Sequence, residues 1–179
     1  MVINETNNFI FVHVYRTGGS SMDRAFGGNM KGMSTHTPLE SVPKWKDYFS
    51  FAFIRNPWDR TVSSYHYATA KKKINGTFED YVRSFVGNEN KKLAQYNMVK
   101  NCSFVGRFEY IQDDFSQICD LIGIERITLP HVWKTEHDHY SSYYTDELKE
   151  IVYNHQSGDI ENFGYSFDGM ATLNIGDTR

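Results

Sequence analysis

In FIFVHVYRTGGSSMDRAF, residues 9–26, a β-branched and aromatic run breaks into a glycine turn and then into a helical pattern. Phe9 to Val14 has the composition of a short buried strand. Arg16-Thr17-Gly18-Gly19-Ser20-Ser21 follows, and Ser20 to Phe26 reads as a short helix ended by Gly27-Gly28. A strand feeding a glycine turn that opens a helix suits an anion. The glycines let the backbone approach it, successive N–H groups point at it, and the helix start adds partial positive charge. Arg16 supplies a full charge, and Thr17, Ser20 and Ser21 supply hydroxyl donors. An ordinary βα turn carrying a glycine pair reads alike from this stretch alone.

Further along, FSFAFI (residues 49–54) reads as a second buried strand, centred on Ser50 to Ile54. It ends in Arg55-Asn56-Pro57-Trp58-Asp59-Arg60. Asn56 is a good N-cap and Pro57 stands at the favoured first helical position. Arg55 therefore lies at the C-terminal end of a strand, the edge where open α/β sheets bind ligands. Ser63 lies four residues after Asp59 and shares a face with the helix start. Arg55 and Ser63 can grip a second anion. A surface ion pair of Arg55 or Arg60 with Asp59 or Glu79 is the alternative.

The rest of the chain supplies the frame. Residues 29–48 read as irregular, broken by Pro38 and Pro43, and contain His36. Lys71-Lys72-Lys73 closes the helix after Arg55, as a solvated end or as a steering patch for an acceptor. Thr77 caps a helix running to about Val86, and another is expected from Glu89 to Val99. Ser103 to Phe108 reads as a third strand bearing Arg107, followed by a helix over Gln112 to Leu121. His131, His137 and His139 invite a metal reading, but their spacing and lack of a cysteine neighbour argue against it. A helix capped by Thr145 runs to about His155 or beyond, and residues 169–179 read as a loose tail after a single domain of residues 1–168.

Composition limits the function classes. The 179 residues are 40% hydrophobic and 23% charged, as in a globular domain. A net charge of −3 argues against a general nucleic-acid binder, while leaving room for a local basic pocket. Cys102 and Cys119 are too few for a disulfide framework, and no signal peptide or membrane-spanning run is visible, so the expected compartment is the cytoplasm.

The two blocks together resemble a known family. His13 to Ser21 resembles the 5′-phosphosulfate loop of Golgi-type carbohydrate sulfotransferases, usually written HxPKTGGTS, and Phe53 to Tyr65 resembles their 3′-phosphate motif, RNPWDRLVSAY. Phe104 to Glu109 and Asp159 to Tyr165 look like small bacterial and viral members. The resemblance implies a P-loop NTPase-like three-layer α/β fold with a central parallel sheet flanked by helices. It also implies 3′-phosphoadenosine 5′-phosphosulfate (PAPS) as donor, a hydroxyl acceptor of carbohydrate type, and no metal. Carried over by position, Arg16, Thr17, Gly18, Gly19, Ser20 and Ser21 hold the phosphosulfate, and Arg55 and Ser63 hold the 3′-phosphate. His36, about 16 residues after the first loop, is the candidate base, with Glu40 in reserve and His13 orienting the loop. Tyr15-Arg16 stands where the family has Pro-Lys; a planar guanidinium cannot reproduce the point charge of lysine. That departure keeps a catalytically weak nucleotide-binding module, or a partner subunit, open as the alternative. A P-loop kinase is disfavoured, because GxxxxGK[ST] is absent.

Overall fold

Phenylalanine alternates with smaller residues along the central strands, and this alternation divides the core into two faces. The computed structural model describes residues 1–27, 39–86, 94–130 and 137–177. Within them a five-stranded sheet runs in the order β1 (Val2–Asn4), β2 (Phe9–Val12), β3 (Phe49–Ile54), β4 (Phe104–Arg107), β5 (Gly176–Asp177). The three central strands are parallel, and the short edge strands β1 and β5 pair antiparallel to them.

Phe9, Phe11, Phe51, Phe53 and Phe104 point to one face. There they pack on Met22 of α1 (Gly19–Ala25) and on Phe115, Ile118 and Cys119 of α5 (Ile111–Ile122). Ile10, Val12, Ala52, Ile54 and Val105 point to the other, which is covered by α2 (Pro57–Ala70), α3 (Phe78–Arg83), α4 (Gln95–Val99) and α6 (Asp146–Phe163). The expected three-layer α/β arrangement is thus the one observed. Register places Phe53 opposite Gly106, and a Cβ there would stand 2.6 Å from the Phe53 ring, so only glycine fits.

Local signals hold at most boundaries. Asn56 accepts hydrogen bonds from the backbone N–H groups of Trp58 and Asp59, with Pro57 opening α2. Thr77 and Asp80 form a reciprocal capping box at α3, and Thr145 caps α6. β2 stops at Val12, two residues early, because the chain turns: the Thr17 hydroxyl donates to the Val14 carbonyl at 3.0 Å. The helix expected from Glu89 is described only as Gln95–Val99, since residues 87–93 lie outside the described residues.

The C-terminal stretches carry more structure than local signals fix. α6 continues beyond His155 to Phe163 across a kink at Gln156, whose side chain donates to Thr61 and accepts from Arg60. The stretch after residue 168 is also not wholly a loose tail. Ala171 is buried, Thr172 and Leu173 donate to the Phe163 carbonyl, and β5 pairs with β4. The unpaired edge of β4 provides the template that local sequence did not reveal.

Candidate active site

Because β2, β3 and β4 are parallel, their C-terminal ends share one edge of the sheet, and an arginine stands at or soon after each end: Arg16, Arg55 and Arg107. The first loop is sharply bent. Arg16 has φ +64° and Gly18 φ +90°. A non-glycine residue in this region costs on the order of 1–3 kcal/mol, a strain that proteins concentrate at functional sites. A Cβ on Gly19 would fall 1.9 Å from Nε2 of His13, and one on Gly18 would fall 2.4 Å from Ile111. Both glycines are therefore fixed by close packing. His13, expected to orient the loop, lies with its ring against Gly19.

The two motifs meet directly. Arg16 Nε donates to the Ser63 hydroxyl at 3.0 Å, and Arg55 Nη1 donates to the Arg16 carbonyl at 3.3 Å. Arg55 is 9% exposed; it forms a two-pronged ion pair with Asp59 at 2.7 and 2.9 Å and stacks 4.1 Å over the Phe108 ring. The ion pair weighed as an alternative thus exists, but within the site rather than on the open surface. Arg60 instead reaches Gln156 and the buried Asp159. Arg107 is locked to buried Asp114, whose carboxylate holds the guanidinium pKa above its usual value.

Other cations gather nearby. Arg16 lies 4.8 Å from the Tyr67 ring centre, and Lys71 and Lys73 lie 6.0 and 5.9 Å from it. The end of α2 is therefore a cationic rim beside the first loop. Burial lowers the Arg16 pKa from its ordinary value.

Several residues that patterning did not single out hold the frame. The Gln95 side chain accepts from the Arg55 N–H and donates to the Arg55 carbonyl, both at 2.9 Å. Asp159 in turn accepts from the backbone of Gln95 and Tyr96. Glu109 accepts from the Asn56 N–H at 2.6 Å, and the Asn56 side-chain amide donates to the carbonyls of Ser166, Phe167 and Gly169. Burial raises the Glu109 carboxyl pKa.

The remaining candidates divide. Arg16, Gly18, Gly19, Arg55 and Ser63 come together. Thr17 is buried, and its hydroxyl shapes the turn instead of facing outward. Ser20 is exposed, and Ser21 is held by its N–H to the Gly18 carbonyl. His36 lies outside the described residues. Glu40 accepts from Asn101, just before the N-terminal end of β4, and so lies away from the arginine edge. His137 stacks on His66 with ring centres 4.8 Å apart, whereas His139 bonds Ser141, so these two imidazoles do not converge. Among the described residues no cluster of three His, Cys, Asp or Glu side chains could hold a metal ion.

Arginines at the ends of three parallel strands, one of them bonded to a serine on α2, give this α/β protein a cationic sheet edge. The chain belongs to the Sulfotransferase family, which matches residues 1–166, and sulfuryl transfer is the reaction class of that family. An uncharacterised protein of Archaeoglobus fulgidus is 30% identical over 83 residues, covering 43% of this chain and 69% of that one. The crystal structure of a sulfotransferase from Alicyclobacillus acidocaldarius is similar with a TM-score of 0.48 and 14% identity, over 86% of this chain and 92% of that one. No helix among the described residues is long and apolar enough to cross a membrane.

Proposed function

We propose that the protein transfers a sulfuryl group from PAPS to a carbohydrate hydroxyl by in-line displacement. The observation that carries this reading is the direct contact of the two anion motifs, through Arg16 with Ser63 and Arg55 with the Arg16 carbonyl. PAPS carries anionic groups on both sides of one ribose, so two cationic loops in contact suit a single such molecule. The side-chain-free turn at Gly18 and Gly19, where a Cβ has no room, supports a backbone cradle for the phosphosulfate.

The donor supplies the activated sulfur and leaves as adenosine 3′,5′-bisphosphate. Arg16 and the turn from Thr17 to Ser21 hold its sulfated end and stabilise the charge that grows on the bridging oxygen. Arg55 and Ser63 hold the 3′-phosphate. His36 accepts the proton of the attacking hydroxyl. The protein's own cations carry the charge in this scheme, without a metal.

One observation favours a second reading. The Arg16 guanidinium is turned onto Ser63 and the Tyr67 ring, where it serves the second anion site as readily as the first. A protein that binds the nucleotide but turns it over weakly would use Arg16 in that way. Calorimetric titration with adenosine 3′,5′-bisphosphate, 5′-AMP and ATP tests the donor site, and release of the bisphosphate from PAPS over a panel of oligosaccharides tests transfer. Binding that requires the 3′-phosphate, with acceptor-dependent turnover, is the expected result. Binding without turnover on any hydroxyl acceptor favours the module, and equal or absent binding of all three nucleotides overturns the donor assignment.

A further inference from the structure

Glu109 stands beside the second anion motif and has no part in the scheme above. It follows β4, and its Oε1 accepts from the Asn56 N–H, one residue after Arg55. Its Oε2 is buried and, among the described residues, has no hydrogen-bond partner. An ionised carboxylate with one oxygen buried and unpaired is costly, whereas a proton on that oxygen removes the charge and leaves the Oε1 contact intact. The groups around it come from five parts of the fold: Arg55 at the end of β3, Asp59 in the first turn of α2, Arg107 at the end of β4, Tyr165 after α6, and Tyr140 from the segment before it. Burial, and secondarily the Asp59 carboxylate, favour the neutral acid, while the Asn56 N–H, the backbone N–H of Glu109 itself and Arg55 oppose it. The Tyr165 hydroxyl is also buried and without a partner among the described residues.

A phosphate docking on Arg55 shifts this balance. Arg55 already shares its charge with Asp59, so an arriving anion places further negative charge beside Glu109 and withdraws the cation that favours ionisation. We propose that Glu109 is a positioning residue of the donor site that takes up a proton on Oε2 when a phosphate docks on Arg55, linking nucleotide binding to proton uptake. The proton comes from solvent, no other bond is made or broken, and the Asn56 N–H stays bound to Oε1 throughout. This inference rests on the placement of the nucleotide's phosphate at Arg55. Linkage sets its sign: affinity rises as pH falls, by at most about tenfold per pH unit for one proton.

The test is titration of the intact protein with adenosine 3′,5′-bisphosphate at several pH values, in buffers of different ionisation enthalpy, comparing wild type with Glu109→Gln. The glutamine keeps an oxygen for Asn56 and cannot titrate. The free nucleotide titrates identically in both experiments, and infrared difference spectra of wild type with and without nucleotide separate a proton on Glu109 from one on the bound phosphate. We expect wild type to take up more protons than the variant, approaching one, and to show the steeper rise in affinity towards low pH. Equal proton counts in two folded proteins overturn the coupling and leave the donor reading standing; no nucleotide binding by wild type overturns both. If Glu109→Gln does not fold, infrared difference spectra of wild type with and without nucleotide decide. A new protonated-carboxyl stretch supports the coupling, and its absence refutes it.

Discussion

Replacing Arg55 by alanine probes the junction of the two motifs more sharply than any other single change. The guanidinium makes two bonds to Asp59 and one to the Arg16 carbonyl, and it stacks on Phe108. A charge-assisted contact to a phosphate is worth about 1.5–3 kcal/mol, so Arg55→Ala should weaken adenosine 3′,5′-bisphosphate binding by roughly ten- to 150-fold. The loss should exceed that of the contact alone, because Asp59 is left without its partner and faces the incoming anion. Adding Asp59→Asn should therefore recover part of the affinity, a non-additive outcome that a double-mutant cycle reads directly. Affinity for 5′-AMP, which lacks the 3′-phosphate, should hardly change. Loss of the stack and ion pair should lower stability by about 1–2 kcal/mol, visible as a lower melting temperature. Calorimetry of the four proteins with both nucleotides is the assay. Unchanged affinity for the bisphosphate, in a variant that melts cooperatively, would remove Arg55 from the site.

Other consequences are open to simpler measurements. His36→Ala is expected to leave bisphosphate affinity intact while lowering turnover at least about 100-fold, the usual worth of a positioned base; full activity disqualifies it. Gly19→Ala forces a methyl into the His13 ring and should cost about 1–3 kcal/mol of stability, partly recovered in the His13→Ala background; an unchanged denaturant midpoint contradicts that packing. His66 has its pKa lowered by burial, with His137 adding to the effect. The folded state therefore resists protonation, and stability contributed by neutral His66 is present above the ordinary histidine pKa and is lost as pH falls below it. Melting temperatures between pH 5 and 8 should show this dependence in wild type, and His66→Gln should flatten it.

What the sequence revealed followed from short-range physics. Short β-branched and aromatic runs marked the buried strands, and Asn56-Pro57 and Thr77 marked helix starts whose caps are satisfied within three residues. The arginine at each parallel strand end was legible for the same reason. What stayed hidden depends on distant partners. Gln95 reads as one more polar residue in a polar stretch, yet it is fully buried because its amide matches both backbone groups of Arg55, 40 residues away. Asp159 and Arg60 likewise read as surface charges but are drawn inside by a shared network. Glu109 lay within a recognised block without an assigned role, since only the fold shows that one of its oxygens is buried alone. β1 and β5 are three and two residues long, too short for any periodicity to register.

The Asn56 amide has a consequence for how the protein is made. It donates to carbonyls 110, 111 and 113 residues further along the chain, at Ser166, Phe167 and Gly169. Contacts of such separation form late, because the entropy of closing a long loop must be met before they contribute. A nascent chain emerging from the ribosome can build β2 and β3 early, but the turn holding Arg55 gains its last supports only after residue 169 has been released. The proposed anion site therefore has its full support only once residue 169 has emerged, and a shorter nascent chain lacks the three carbonyls that hold the Asn56 amide.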